Sequence, residues 1–267
     1  MKTNADQPQL PAAMCAALER LYKVFKPYSA PKYPLDVCTH CCMDAAMELE
    51  MRRLPLRQLT TAHFYQYNDS AKSDPQPVDE IKYLLPRMLE LLAAGSEIHH
   101  STALQLSRLG NCESGAFLPA EYSAIDAFAL AYFANGLGQH PWQSAGRYAV
   151  DDTFDALLMF DIGGVDLLPL LDNWLKDDST AATLHYVSSG FYDFWQSQCV
   201  QDAFATDRPQ FQEVLKTWLT DESNRRVFAA RILNLDLSAI DQSTICYYGS
   251  QITPKEMAET VFDLITY

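Results

Sequence analysis

The chain has 267 residues, 48% of them apolar and 12% aromatic, with 34 acidic against 20 basic side chains and a net charge of −14. That is enough apolar material to bury a full core without disulfides or metal, and it excludes general disorder. The acidity argues against direct binding of nucleic acid or anionic lipid, which needs a basic footprint. Leucine (33) and alanine (31) far outnumber valine (10) and isoleucine (9). Because β-branched residues favour strands, the expected fold class is all-α.

The polar first ten residues form no apolar core of signal-peptide length. Pro11 then opens a helix in which Met14, Leu18, Leu21, Tyr22 and Phe25 share one face. Pro27, Pro31 and Pro34 enforce an extended connector to Val37. A second helix is predicted to begin inside Cys38–Asp44 and run to Arg53, and Thr60 or Thr61 caps a third through Ser70. The stripe Ile81, Leu84, Leu85, Met88, Leu91, Leu92 predicts a helix over 78–94. Pro86 lies within it, so a kink, or two helices meeting at Leu85, is expected. Ser96 can cap a helix reaching Leu109, and Pro119 opens another.

Residues 136–147 hold three of the ten glycines and Pro141, the best candidate for a subdomain boundary in what otherwise reads as a single domain over 1–267. Beyond it, helices are expected over 152–161, 165–175, 179–187, 191–204, 209–219 and 221–233. A last one carries a complete start signal: Thr253 as cap, Pro254 first, and Glu256 to close a capping box. The sum is about a dozen helices in an antiparallel multi-helix assembly, compact or helical-repeat-like. No run reaches the ~18 apolar residues of a membrane span. The seven cysteines form no regular disulfide framework, and a reduced, cytoplasmic protein without membrane partners is expected.

The most chemical stretch is Cys38-Thr39-His40-Cys41-Cys42. Cys38 and Cys41 have the spacing that lets two thiolates reach one zinc ion or act as a redox dithiol, and a helix start here would lower the thiol pKa. Cys42, His63, His99 and His100 are the candidates to complete a site. Small buried cysteines packing a helix start are the simpler alternative. Glu97 and His100 form a Glu-x-x-His pair, but a di-iron bundle needs a second such pair and the chain has none. With no nucleophile elbow, phosphate loop or dinucleotide fingerprint, neither enzymatic activity nor a cofactor is expected.

Acidic residues concentrate between Arg147 and Asp207, where eleven carboxylates face two bases for a local net charge of −9. Asp151, Asp152, Asp155, Asp161, Asp166, Asp172, Asp177 and Asp178 are the candidate partner-binding residues. Interleaved aromatics, Phe154, Phe160, Trp174, Tyr186, Phe191, Tyr192, Phe194 and Trp195, would add apolar anchors wherever they are exposed. Such a face suits a basic protein.

The segments Tyr33–Met43 (YPLDVCTHCCM) and Tyr83–Leu91 (YLLPRMLEL) resemble a set of uncharacterised bacterial proteins that share a cysteine cluster and a Leu-Pro-Arg stretch. The likeness covers about the first hundred residues and implies no activity. It implies a bacterial setting, in which acidic helical chains serve as immunity proteins or antitoxins. The sequence expectation is therefore an acidic binding protein that occludes a basic toxin, with a metal- or redox-linked role for Cys38, Cys41 and Cys42, or a helical scaffold, as the alternatives.

Overall fold

The computed structural model describes residues 10–142, 153–240, 245–247 and 250–266. Among them are twelve α-helices and one short hairpin, so the fold is all-α. Among the described residues no helix is long and apolar enough to cross a membrane. The chain divides into two compact units. Of the described residues, 10–135 and 159–167 belong to the first; 136–142, 153–158 and those from 168 onward belong to the second.

The first unit is built on α1 (Ala12–Val24), α2 (Ala45–Arg53), α3 (Thr61–Asn68), α4 (Val78–Ala93), α5 (Ser107–Gly110) and most of α6 (Pro119–Leu137). Its spine is α4, which packs on α1 and buries Ile81, Leu84, Leu85, Met88, Leu89 and Leu92. Pro86 does not divide this helix. The missing N–H and ring clash of an interior proline cost about 3 kcal/mol. Six large apolar side chains at about 1.5–3 kcal/mol each outweigh that, so the helix carries through. Across the same unit the Lys82 ammonium meets the Glu121 carboxylate at 2.8 Å, their side chains only 6% and 3% exposed.

Two predicted helices do not form as read. Over 96–109 the only α-helix is the four-residue α5. Other bonds compete with helix there: the distant Asn68 side-chain amide donates to the Ile98 carbonyl at 2.7 Å, and the Ser101 backbone amide donates to Nδ1 of His99 at 3.2 Å. Downstream of Gly110 the backbone comes close to a distant segment. A Cβ on Gly110 would lie 1.7 Å from the carbonyl oxygen of Ile162.

Helix α7 (Thr153–Ile162) straddles the division and buries Phe154 and every residue from Ala156 to Phe160. The second unit continues with α8 (Leu168–Lys176), α9 (Thr180–Ser189), α10 (Pro209–Thr220), α11 (Glu222–Leu233), the hairpin β1 (Ile245–Tyr247) and β2 (Ser250–Ile252), and α12 (Pro254–Thr266). An aromatic cluster forms its core: the Trp174 and Trp218 rings stack at 5.3 Å and those of Tyr186 and Phe228 at 3.8 Å. The predicted helix over 191–204 is replaced by a π-helical turn, Gly190–Phe194, that prolongs α9 and then gives way to irregular turns. The capping box of α12 forms as read, the Thr253 and Glu256 amides each bonding the other's side chain.

Candidate metal centre at Cys38, Cys41 and Cys42

The connector before the cysteines is held by a buried polar network. The Asp36 amide donates to the Glu80 carboxylate at 3.1 Å, and the Tyr67 hydroxyl donates to the same group at 2.8 Å. Arg108, 2% exposed, donates to the carbonyls of Asp36 and Tyr67 and to Oε1 of Gln76, with its guanidinium 3.7 Å over the Tyr67 ring. Leu35 and Val37 are buried, and Val37 forms a bridge with Ala71. The Cys38 amide then donates to the Ser70 carbonyl at 2.8 Å, which sets the backbone of the first cysteine.

From that point the chain turns on itself, with the Cys42 and Met43 amides both donating to the Cys38 carbonyl at 3.3 and 3.0 Å. Helix α2 begins only after Asp44, whose carboxylate accepts the Ala46 amide at 2.6 Å. The cysteines therefore occupy a turn, not the helix start expected from sequence. Nor are they buried: Cys41 and Cys42 are exposed and Cys38 half-buried, which removes the packing alternative.

The turn gathers the three sulfurs, Cys38 Sγ and Cys41 Sγ lying 3.4 Å apart and Cys41 Sγ and Cys42 Sγ 3.0 Å apart. Backbone N–H groups of Cys41 and His40 point at the Cys38 sulfur and, with the Cys41 thiol, lower its pKa to about 7. The Cys41 thiol is pushed up to about 12, because Cys42 and Cys38 beside it disfavour a further negative charge. The Cys38 thiolate is thus stabilised by turn amides, while the sulfurs beside Cys41 hold that thiol protonated.

The histidines considered for this site are engaged elsewhere. His63 accepts the Thr60 amide at Nδ1 (3.0 Å), which caps α3, and its Nε2 faces Glu50 at 3.3 Å. His99 Nε2 and His100 Nδ1 each lie 3.0 Å from the same oxygen of Asp69. This Asp69–His99–His100 group has the spacing of a metal site. Its hydrogen bonding argues otherwise: Nδ1 of His99 accepts the Ser101 amide, so the proton sits on Nε2 and is donated to Asp69. An imidazole so oriented has no lone pair to offer at Nε2. His100 pairs with Asp69, and no helix places it on one face with Glu97.

The described acidic candidates fall in both units. Asp151 and Asp152 lie outside the described residues. Asp161 and Asp166 belong to the first unit; Asp155, Asp172, Asp177 and Asp178 belong to the second. Asp172 pairs with Lys176 at 2.5 Å, and Asp177 accepts the Ser179 amide at 3.0 Å before α9. Of the interleaved aromatics, Phe154, Phe160, Trp174, Tyr186, Phe191, Phe194 and Trp195 are all buried and Tyr192 is half-buried. The seven buried rings are core, not anchors.

No protein-family model, curated protein or solved structure matches the chain.

Proposed function

We propose that this chain binds a thiophilic metal ion, with zinc as the first candidate, through Cys38, Cys41 and Cys42. The observation that carries the reading is the convergence of three cysteine sulfurs within 4.8 Å of one another on a turn held by buried groups. Thiolates around zinc at about 2.3 Å stand roughly 3.8 Å apart, so the Cys38–Cys41 and Cys41–Cys42 pairs, at 3.4 and 3.0 Å, need to spread by less than about 1 Å. A dithiol needs two sulfurs; the third favours a metal. Exposure of Cys41 and Cys42 leaves the fourth position open to water or to a ligand from another molecule, which suits an exchangeable ion better than a structural one.

The test is zinc competition against a chromophoric chelator, using reduced full-length protein purified without added metal. One zinc per chain is expected, with each of Cys38→Ser, Cys41→Ser and Cys42→Ser weakening it by at least about tenfold, since even outer partners of metal ligands cost that much. Zinc held equally well by the triple serine variant would overturn the reading. So would loss of free thiols to a Cys38–Cys41 disulfide under mild oxidation with no stoichiometric metal before it.

A second reading, an acidic docking surface for a basic protein on the second unit, draws support from the exposure of Asp172 and Asp178. With the aromatics buried, it would rest on charge alone and so be lost at high salt. Binding to a basic protein that survives half-molar salt would count against it.

A further inference from the structure

A cavity of about 330 Å³ opens in the second unit between α9, its π-helical turn, residues 140–142 and the start of α12. Its walls are largely apolar, from Trp142, Leu184, Val187 and Met257, and the polar residues His140, His185, Ser188, Tyr192 and Asp193 complete the lining. We infer that this cavity is a binding site for a small arylalkylamine: one or two aromatic rings seated against Trp142 and Tyr192, with a single alkylammonium group directed at Asp193.

The fold goes out of its way to shape this space. Leu184, Val187 and Ser188 face the cavity from α9, and an uninterrupted α-helix would bring Phe191 next to that face. The wide turn adds one residue, the Trp195 amide bonding the Gly190 carbonyl five positions back at 2.9 Å. The extra residue rotates the downstream backbone by about 100° and presents Tyr192 and Asp193 instead. Such insertions weaken a helix and occur often at functional sites. Two glycines make room for the tryptophans involved: a Cβ on Gly136 would fall 2.0 Å from the Trp142 ring, and one on Gly190 would fall 2.6 Å from Nε1 of Trp195.

Size and charge define the class of ligand. At about 330 Å³ the cavity is at the small end of ligand pockets, about 300–1,000 Å³. Its aromatic lining, where the Trp142 and His185 rings meet edge to face at 5.9 Å, suits a flat guest. Among the described residues of the lining, Asp193 is the only acidic side chain, and no lysine or arginine is present. Neither histidine offers a cation at neutral pH. Burial lowers the pKa of His185, whose Nε2–H is donated to the Gln139 carbonyl at 2.6 Å. Protein packed around His140, and then His185, lower its pKa to about 4, although the residue is exposed. Among the described lining residues an anionic ligand would find no compensating charge. An ammonium finds a carboxylate and the faces of Trp142 and Tyr192.

Ligand-detected NMR on the reduced full-length chain tests this with three probes of one shape: 2-phenylethylamine, 2-phenylethanol and 3-phenylpropionate. The amine is expected to bind at least about tenfold tighter than the alcohol, as a charge-assisted bond provides, and the propionate more weakly than either. Asp193→Asn should bring the amine down to the level of the alcohol and leave the alcohol unchanged. Val187→Trp, with its helical circular dichroism preserved, should exclude all three. Equal affinity of the wild type for amine and alcohol, an amine preference that survives Asp193→Asn, or no binding of the amine at millimolar concentration overturns the inference.

Discussion

Gly190 and Trp195 are joined twice: the Trp195 amide donates to the Gly190 carbonyl at 2.9 Å, and the Trp195 indole fills the place a side chain on Gly190 would take. Gly190→Ala therefore sets a methyl group against a buried ring. The expected cost is about 1–3 kcal/mol of overpacking, read as a lower urea midpoint. Trp195→Phe on the alanine background removes the colliding Nε1 edge, so the double variant should lose less than the sum of the single ones. Additive losses would show that the two positions do not touch.

The Lys82–Glu121 pair is buried on both sides, and Glu121 also accepts from the Tyr28 hydroxyl and the Leu118 amide. Removing one charge from such a pair strands the other, so Lys82→Met should cost about 3–5 kcal/mol. Adding Glu121→Gln neutralises the stranded carboxylate: the amide oxygen can still accept the Leu118 N–H, and the amide NH2 can donate to the Tyr28 hydroxyl, which turns from donor to acceptor. More than half of the loss should return in denaturant titrations.

Zinc affinity at the thiol cluster should rise steeply with pH, because each bound ion displaces thiol protons. Below the Cys38 pKa of about 7, the ion must displace at least the protons of Cys38 and Cys41, so the apparent association constant should climb by at least about a hundredfold per pH unit. Above pH 7 the Cys38 proton is already gone and the slope should ease. Chelator competition at pH 6, 7 and 8 reads it directly; a flat profile excludes thiolate ligation.

Acid should loosen the first unit through His99. Burial lowers its pKa from 6.5 to about 4, and the charge of Asp69 opposes without reversing the shift. A base with a depressed folded pKa contributes its full stability above pH 6.5 and loses it as pH falls toward 4, where the unfolded chain takes up the proton first. His99→Gln can still accept the Ser101 amide and donate to Asp69. Its melting temperature should fall less than that of the wild type between pH 7 and pH 4, and identical slopes would clear His99 of the effect.

Much of the helical plan was legible because α1, α4, α10 and α12 carry apolar stripes with clear start signals, and periodicity reports whichever face is buried. The failures at 96–109 and 191–204 share a cause that no stripe reveals. In each, side chains or amides bond partners off the helix: Asn68 to the Ile98 carbonyl in one, and Ser197 to the Cys199 carbonyl beside a left-handed Gln198 in the other. Cys38, Cys41 and Cys42 could be named from spacing alone. Their exposure could not, since it depends on the Val37–Ala71 bridge and on Arg108, which lies seventy residues downstream of Cys38 in sequence. The cavity beside α9 left no sequence signal: its residues come from three separate stretches, and its shape depends on a π-helical turn that helical periodicity does not encode.

The backbone contact between Gly110 and Ile162 sets a condition on synthesis. Residues 159–167 complete the first unit, yet the ribosome delivers them only after residues 136–142 and 153–158, which belong to the second. A nascent chain that has released everything up to α6 still lacks the piece that rests on Gly110. The N-terminal unit therefore cannot close in order of emergence, and its partly assembled form must coexist, for the time taken to translate some thirty further residues, with the opening segments of its neighbour.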